Sequence, residues 1–464
     1  MRYPAVDPNH LSAPIDSVFK IKTDKANWGP RVGFAYAPIG AGWLGSGKTV
    51  FHGGAGIYYD TSFSNIVTNT AQAAPNAPTG LLETTTGGGV QNPIAALATI
   101  TPQLSPTDAV FSISKDIVNP STYEWNMGIE RSLPAYLKLA INYVGSRGRR
   151  LYANQHLNYF DFNTGLRLLP DRGAIDIREN SAASEYDSVQ TEVTRQFQHG
   201  LLVRGAYTFG KNLDDGSEVF AIFSGPTSYP ADPSPGGRKR DWGPSSFDFR
   251  HYLSIDYVWS PAGLRSENRA ADAFFYAVSR NWTVSGFTQL QAGPPSTFNF
   301  QGIDSNGDGS TTNDRPIVGN RHQPLNTAGI DGIYLGAPTP GQYFDLAAIN
   351  GPGTLVPVTP DQEHWLIPYG PQFVPQEIGR NSFRNPGSTV WNVALQKDIP
   401  VRWKRFEYAA FNLRCEASDV GNHNDVGILD TNLLHINSGN TYLNPATKRL
   451  ATARSVRFWA KFTF

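Results

Sequence analysis

"SVRFWAKFTF", residues 455 to 464, decides how the rest of the chain is read. Val456, Phe458, Ala460, Phe462 and Phe464 share one parity. Ser455, Arg457, Lys461 and Thr463 share the other, with Trp459 the single exception. Period two marks a strand with one apolar and one polar face. The alternation recurs upstream. Tyr123, Trp125, Met127 and Ile129 oppose Glu124, Asn126 and Glu130. Leu137, Leu139, Ile141 and Tyr143 oppose Lys138 and Asn142. Val189, Val193 and Phe197 oppose Ser188, Gln190, Glu192, Thr194 and Gln196. Leu253, Ile255, Tyr257 and Trp259 oppose Ser254 and Asp256, and Trp391, Val393 and Leu395 oppose Asn392 and Gln396. Phe411, Leu413 and Cys415 oppose Asn412, Arg414 and Glu416. Weaker versions lie at 30–37, 50–60, 201–211 and 282–292. The count reaches about eleven strands of about ten residues, with almost no helix.

Composition narrows the classes. The 464 residues carry 39 basic and 39 acidic side chains, so no nucleic-acid footprint is visible. Aromatics make up 12% and charged residues only 17%. The 45 glycines and 34 prolines concentrate between the periodic stretches. Cys415 is the single cysteine, which excludes a disulfide framework and a cysteine metal site. No apolar run is long enough for a spanning helix, and "MRYPAVDPNHLSAPIDSVFK" has no apolar signal core.

The stretch "GWLGSGKT", residues 42–49, matches the phosphate-cradling G-x-x-x-x-G-K-[ST] pattern. That loop needs a helix after it, whose N-terminus faces the phosphate. Residues 50–60, "VFHGGAGIYYD", instead alternate like a strand and are rich in glycine. The stretch reads as a turn between two strands.

Strands with one apolar face suit a soluble sandwich or a membrane barrel. Three features favour the barrel. The polar faces carry large side chains suited to a wet lumen. Aromatics gather near strand ends: Tyr58, Tyr59, Tyr123, Trp125, Trp259, Trp282, Trp391 and Trp459, as in interfacial girdles. The connections alternate short (about 38–48, 133–136, 198–200, 260–280, 400–404) and long (about 61–121, 146–185, 212–248, 294–388, 419–453). Outer-membrane barrels have short periplasmic turns and long extracellular loops. The fold class expected is therefore all-β, a transmembrane antiparallel β-barrel sheet. The other reading is a soluble secreted all-β protein, carbohydrate-binding or propeller-like.

The strands resemble a known family. "PRVGFAY" (30–36), "GGAGIYYD" (53–60), "YEWNMGIERSL" (123–133) and "INYVGSRGRRLY" (141–152) carry the likeness. So do "YDSVQTEVTRQFQHGL" (186–201), "YTFGKNLDD" (207–215), "FDFRHYLSIDYVW" (247–259) and "IGRNSFRNPG" (378–387). Together they resemble the C-terminal half of the barrel of a TonB-dependent outer-membrane receptor, of the Oar-like kind common in Acidobacteria. The segment "SDVGNHNDVG" (418–427) departs from the family's more apolar pattern. The resemblance implies an outer-membrane location and uptake of a scarce, bulky substrate. It implies no enzyme and no resident cofactor. TonB would act through an N-terminal plug that this sequence lacks. Phe458, Phe462 and Phe464 would form the signal read by the barrel-assembly machinery.

Two expectations concern completeness. Residues 1–28 read as the remnant of an extracellular loop, and 29–464 as the barrel part. About eleven strands cannot close an antiparallel barrel, but they are half of a 22-stranded one. An open edge in hydrocarbon leaves roughly ten backbone groups unpaired, at several kcal/mol each. That exceeds typical stabilities of about 5–15 kcal/mol. The chain is therefore read as a fragment or a mis-started reading frame, unless "SVFKIKT" (17–23) supplies a twelfth strand against 454–464.

Few residues suggest chemistry. Nine histidines are scattered without H-x-x-x-H or H-E-x-x-H spacing, and no G-x-S-x-G elbow occurs. His423 and His435 share one loop and read as solvated. Arg147, Arg149 and Arg150 read as a loop base, with lipopolysaccharide phosphate as the functional alternative. "DSNGDGSTTNDRP", residues 304–316, places Asp304, Asn306 and Asp308 like the ligands that open a Ca²⁺ loop. Asp314 falls one place before the closing ligand position, which is Arg315. Two readings are open: a Ca²⁺ clip ordering this loop, or a chain of Asx turns holding itself.

Overall fold

The computed structural model describes residues 2–4, 18–20, 23–40, 42–61, 110–161, 164–219, 229–403, 406–423, 425–436, 442–448 and 454–464. Its body is an antiparallel meander of β1 (Arg31–Tyr36), β2 (Thr49–Tyr59), β3 (Ser121–Leu133), β4 (Leu137–His156), β5 (Ile175–Gln198) and β6 (Leu201–Asp214). It continues with β7 (His251–Trp259), β8 (Trp282–Gln291), β9 (Ser388–Trp403), β10 (Phe406–Ser418) and β11 (Ser455–Thr463). Each strand pairs with its neighbours in sequence. Two short strands, Val110–Ile113 parallel to β5 and Gly243–Pro244 antiparallel to β6, bring the sheet to 13, while among the described residues the meander itself has the eleven strands expected from alternation.

Register carries the two faces unbroken across the sheet. Phe34, Gly53, Met127, Tyr143, Val189 and Phe209 form one cross-strand row. Leu201, Trp259, Val284, Leu395, Cys415 and Phe458 form another on the same face. Ser285, Ala394, Glu416 and Arg457 lie on the opposite face, as do Thr283, Gln396, Arg414 and Trp459. The apolar face is bare: Met127 is 62% exposed and Phe458 80%. A belt this wide is not left facing water. The polar face satisfies itself, with Lys138–Glu130 at 2.6 Å, Arg204–Glu192 at 2.8 Å and Arg414–Glu416 at 2.6 Å. A hollow of about 410 Å³ on that face is lined by Asp256, Ser285, Asn392, Arg414 and Glu416. The concave side is therefore polar. Phe411 and Leu413 stand exposed on the other side, as expected.

At one end the connections are short. "GWLGSGKT" is a turn: Ser46 and Gly47 have φ of 61° and 66°, and Thr49 opens a strand rather than a helix. A Cβ on Gly45 would lie 2.1 Å from the Gly40 carbonyl oxygen, so only glycine fits there. The connection after β7 is larger and holds helix α1 (Arg269–Ser279), which the alternation did not announce.

At the other end, β4 and β5 run past the membrane. β5 has 24 residues, about twice what a spanning strand needs. The loop expected at 146–185 is mostly strand, and the connection shrinks to 157–174. Above the belt other connections cover the ladder and bury Ala153, His156, Ile177, Arg178 and Ala182, so no lipid–water boundary imposes alternation while backbone pairing continues.

Residues 1–28, read as the remnant of a loop, hold one short pairing among the described residues. Arg2–Pro4 pairs antiparallel with Val18–Lys20. The alternative partner for that segment, 454–464, pairs instead with β10. Among the described residues, β1 and β11 each have one strand neighbour, so the sheet is open.

Candidate functional site

Among the described residues, parts of the connections after β6, β8 and β10 fold into a cap over one end of the wall. The 292–387 segment is a small unit with its own sheet, built from Ile317–Val318, Ala328–Asp331, Tyr343–Asp345, Pro357–Val358 and Trp365–Ile367. Phe298, Phe300, Ile330, Leu346, Trp365 and Ile367 form its core, and Leu433 and Ile436 of the last long connection complete it. Burial of these apolar groups orders the segment.

Buried ion pairs fasten the cap to the wall. Arg380 donates from Nε to the Asp241 carbonyl at 3.0 Å and from Nη1 to Ser217 Oγ at 2.9 Å, and pairs through Nη2 with Asp214. Arg384 pairs with Asp248. Asn381 donates to the Pro244 carbonyl at 2.7 Å. The motifs "YTFGKNLDD", "FDFRHYLSIDYVW" and "IGRNSFRNPG" thus meet in one lock. They lie far apart in sequence, and nothing in their spacing announced the contact.

Above this lock lies a cleft of about 400 Å³ between three connections. Its lining includes Asp241, Asn313, Asp314, Arg315, Arg380 and His435. Arg315 Nη2 holds Asp241 at 2.5 Å and Nε faces Glu377 at 3.6 Å. Asn313 Oδ1, Asp314 Oδ2 and Arg315 Nη1 are buried without hydrogen-bond partners. Burial pushes the Asp314 and Glu377 carboxyls well up, with Arg315 opposing the shift at Glu377. Burial likewise pushes Glu363 up to about 7. The cleft can therefore bind a polar ligand through acid, guanidinium and amide groups.

The 304–314 segment sits beside it. Asp304 accepts from the Gly307 N–H at 2.6 Å and the Gly309 N–H at 3.0 Å. Asn306 Oδ1 accepts from the Asp308 N–H at 2.9 Å, and Asp308 from the Ser310 N–H at 2.7 Å. Asp314 Oδ1 accepts from Ser305 Oγ at 2.7 Å. The Asn306 and Asp308 contacts are Asx turns, and the Asp304 and Asp314 side chains close the loop around them. Among the described residues no group of three or more His, Cys, Asp or Glu side chains is arranged to hold a metal ion. Asn306 and Asn313 donate to the Ala231 and Pro230 carbonyls, each at 2.6 Å, and so tie this loop to the preceding one. Burial pushes Asp308 up to about 6.

Other singled-out residues are dispersed. His435 meets Asp430 at 2.6 Å on the cleft rim, whereas His423 is exposed elsewhere in that connection. Arg147 is spent on Glu185 at 3.3 Å and Asp187 at 2.9 Å, while Arg149 and Arg150 are exposed. Phe458 and Phe464 are exposed, and the Phe462 ring lies tilted against Phe411 with ring centres 4.8 Å apart.

The family of outer membrane beta barrel domains matches residues 14–455. The chain belongs to that family. It is an outer-membrane protein, and its apolar belt faces lipid. The soluble secreted reading is set aside. Among curated proteins no sequence matches the chain. Among solved structures, the outer membrane transporter YddB from Escherichia coli is 9% identical, with 90% of this chain and 38% of that chain covered at a TM-score of 0.43. The siderophore receptor PirA from Acinetobacter baumannii is 8% identical, with 94% and 40% covered at 0.38. The Pseudomonas aeruginosa receptor FpvA, bound to a pyoverdine–iron complex, is 9% identical, with 93% and 33% covered at 0.39. The chain thus spans well under two thirds of these chains.

Proposed function

We propose that this outer-membrane barrel chain serves TonB-dependent uptake of a scarce, bulky substrate, as part of an Oar-like receptor. The cap carries the reading. A diffusion pore keeps its mouth open, whereas here the loops fold into a unit with its own core and enclose a polar cleft. Such a mouth suits capture before passage. The sheet is one half of a 22-stranded barrel, the size that leaves room for a plug. Among the described residues β1 and β11 have no outer partner, which supports this, because hydrocarbon does not tolerate open edges. The closing strands, and the plug on which TonB pulls, lie outside these eleven strands.

Partners follow from the same reading. Phe458, Phe462 and Phe464 address the barrel-assembly machinery. Arg149 and Arg150, exposed above the belt, meet lipopolysaccharide phosphates. The protein carries substrate rather than transforming it. The test is genetic. Loss of the gene and loss of the TonB complex should abolish growth on the same scarce nutrient. Growth that needs the gene but not TonB would mean passive passage and contradict the proposal.

A further inference from the structure

Helix α1, between β7 and β8, is inside out for a helix in water. Its exposed positions include Ala273, Phe274, Phe275, Ala277 and Val278. Phe274 is 66% exposed, Phe275 48% and Val278 51%. Its polar groups turn inward to their own loop. Asp272 accepts from the Ser266 N–H at 2.8 Å and from Arg265 Nη1 at 3.0 Å. Ser279 Oγ accepts from the Leu264 N–H at 2.7 Å. The Arg265 guanidinium lies 3.5 Å from the Tyr276 ring centre.

The helix also has a fixed place. Trp282 and Lys397 are register partners on β8 and β9, and Lys397 shares the parity of Leu395 and Ile399 on the apolar face. Trp282 Nε1 donates to the Val278 carbonyl at 2.7 Å. Lys397 Nζ donates to the carbonyls of Val278 at 2.8 Å and Arg280 at 2.5 Å. A cation is favoured at that end of a helix. Two side chains of the lipid-facing side thus hold the C-terminal end of α1, at the end of the short turns.

We infer that α1 is an interfacial anchor, lying in the periplasmic leaflet with Phe274, Phe275 and Val278 among glycerophospholipid chains. The occupant is lipid because the patch continues the lipid-facing belt through Trp282. An aromatic and a lysine at that junction match the membrane boundary. The 11 residues make a rod of about 16 Å, short enough to lie flat along the rim. The inference rests on membership of the barrel family and not on the uptake role.

The experiment uses the closed barrel to which these strands belong, with Cys415→Ser, inserted in phosphatidylethanolamine–phosphatidylglycerol vesicles. A polarity-sensitive fluorophore is attached at Phe274→Cys or Val278→Cys, made separately in case one fails to fold. A third label at Leu395→Cys marks the belt itself. Spin-labelled lipids should quench the helix labels as fully as the Leu395 label, and aqueous iodide should leave them bright. Quenching by iodide would overturn the inference. So would labels shielded from both quenchers, which would mean that protein covers the helix. A Leu395 label untouched by lipid would overturn it too, by removing the belt it extends.

Discussion

Asp308 sits among titrating neighbours: His156 lowers its pKa and Asp304 raises it, but burial dominates and sets it at about 6. In an unfolded chain the same carboxyl titrates near 3.9. Between those values the folded cap holds the proton and the unfolded chain does not. Stability from this group is therefore greatest below that window and falls as pH rises through about 6. Proteolysis within 292–387 should be slower at pH 5 than at pH 7.5. Asp308→Asn should reduce the difference, the remainder coming from Glu363, Asp314 and Glu377, whose carboxyls burial also pushes up, and an unchanged pH response would count against this account. A Ca²⁺ ion would address the same carboxylates. If the 304–314 loop takes Ca²⁺, the ion slows neutral-pH cleavage, and Asp304→Ala removes that protection. If EDTA changes nothing, Asx turns alone hold the loop. Arg380 gives a third residue-scale prediction. Arg380→Met strands the buried Asp214 carboxylate and should loosen the cap by about 3–5 kcal/mol. Adding Asp214→Asn should restore much of that loss in a double-mutant cycle of cap unfolding.

At the scale of elements, the wall and the cap are held by different forces. The wall is a backbone ladder, and the cap is an apolar core. Leu433→Ala should destabilise the cap by about 2–5 kcal/mol, because Leu433 is fully buried beside Trp365 and Ile367. Cleavage in 292–387 should rise while the folded-barrel mobility shift on gels persists. Loss of both together would merge the two units. The contrast explains what is legible in the sequence. Between water and lipid a strand must alternate, so β7, β10 and β11 can be read from Leu253, Leu413 and Phe458 alone. The upper parts of β4 and β5 lose the pattern because packed connections cover them there, burying Ala153, Ile177 and Arg178. The cap core is built from strands as short as Trp365–Ile367, too brief to show a period. Helix α1 goes unannounced because 260–280 reads as a short connection, although Phe274, Phe275 and Val278 share one helical face. The Asp304–Asp314 stretch stands out by its spacing, and its Asx turns are one of the two readings that spacing allows. The Arg380–Asp214 lock needs coordinates, since its halves lie 166 residues apart.

On the scale of the whole molecule, one claim supports the rest: an eleven-stranded wall of an outer-membrane barrel, lipid on one face and a wet lumen on the other. Its consequence is strict. Every second residue along a strand must change solvent. The most direct measurement is spin-label accessibility along β10 in lipid vesicles, one label at a time from Phe411 to Glu416. Cys415 supplies one site directly, and the others use Cys415→Ser. Labels at Phe411, Leu413 and Cys415 should collide with membrane-dissolved oxygen. Labels at Asn412, Arg414 and Glu416 should collide with a water-soluble nickel chelate, giving two curves of period two in opposite phase. Curves in phase, or oxygen contact at Arg414 and Glu416, would contradict the account.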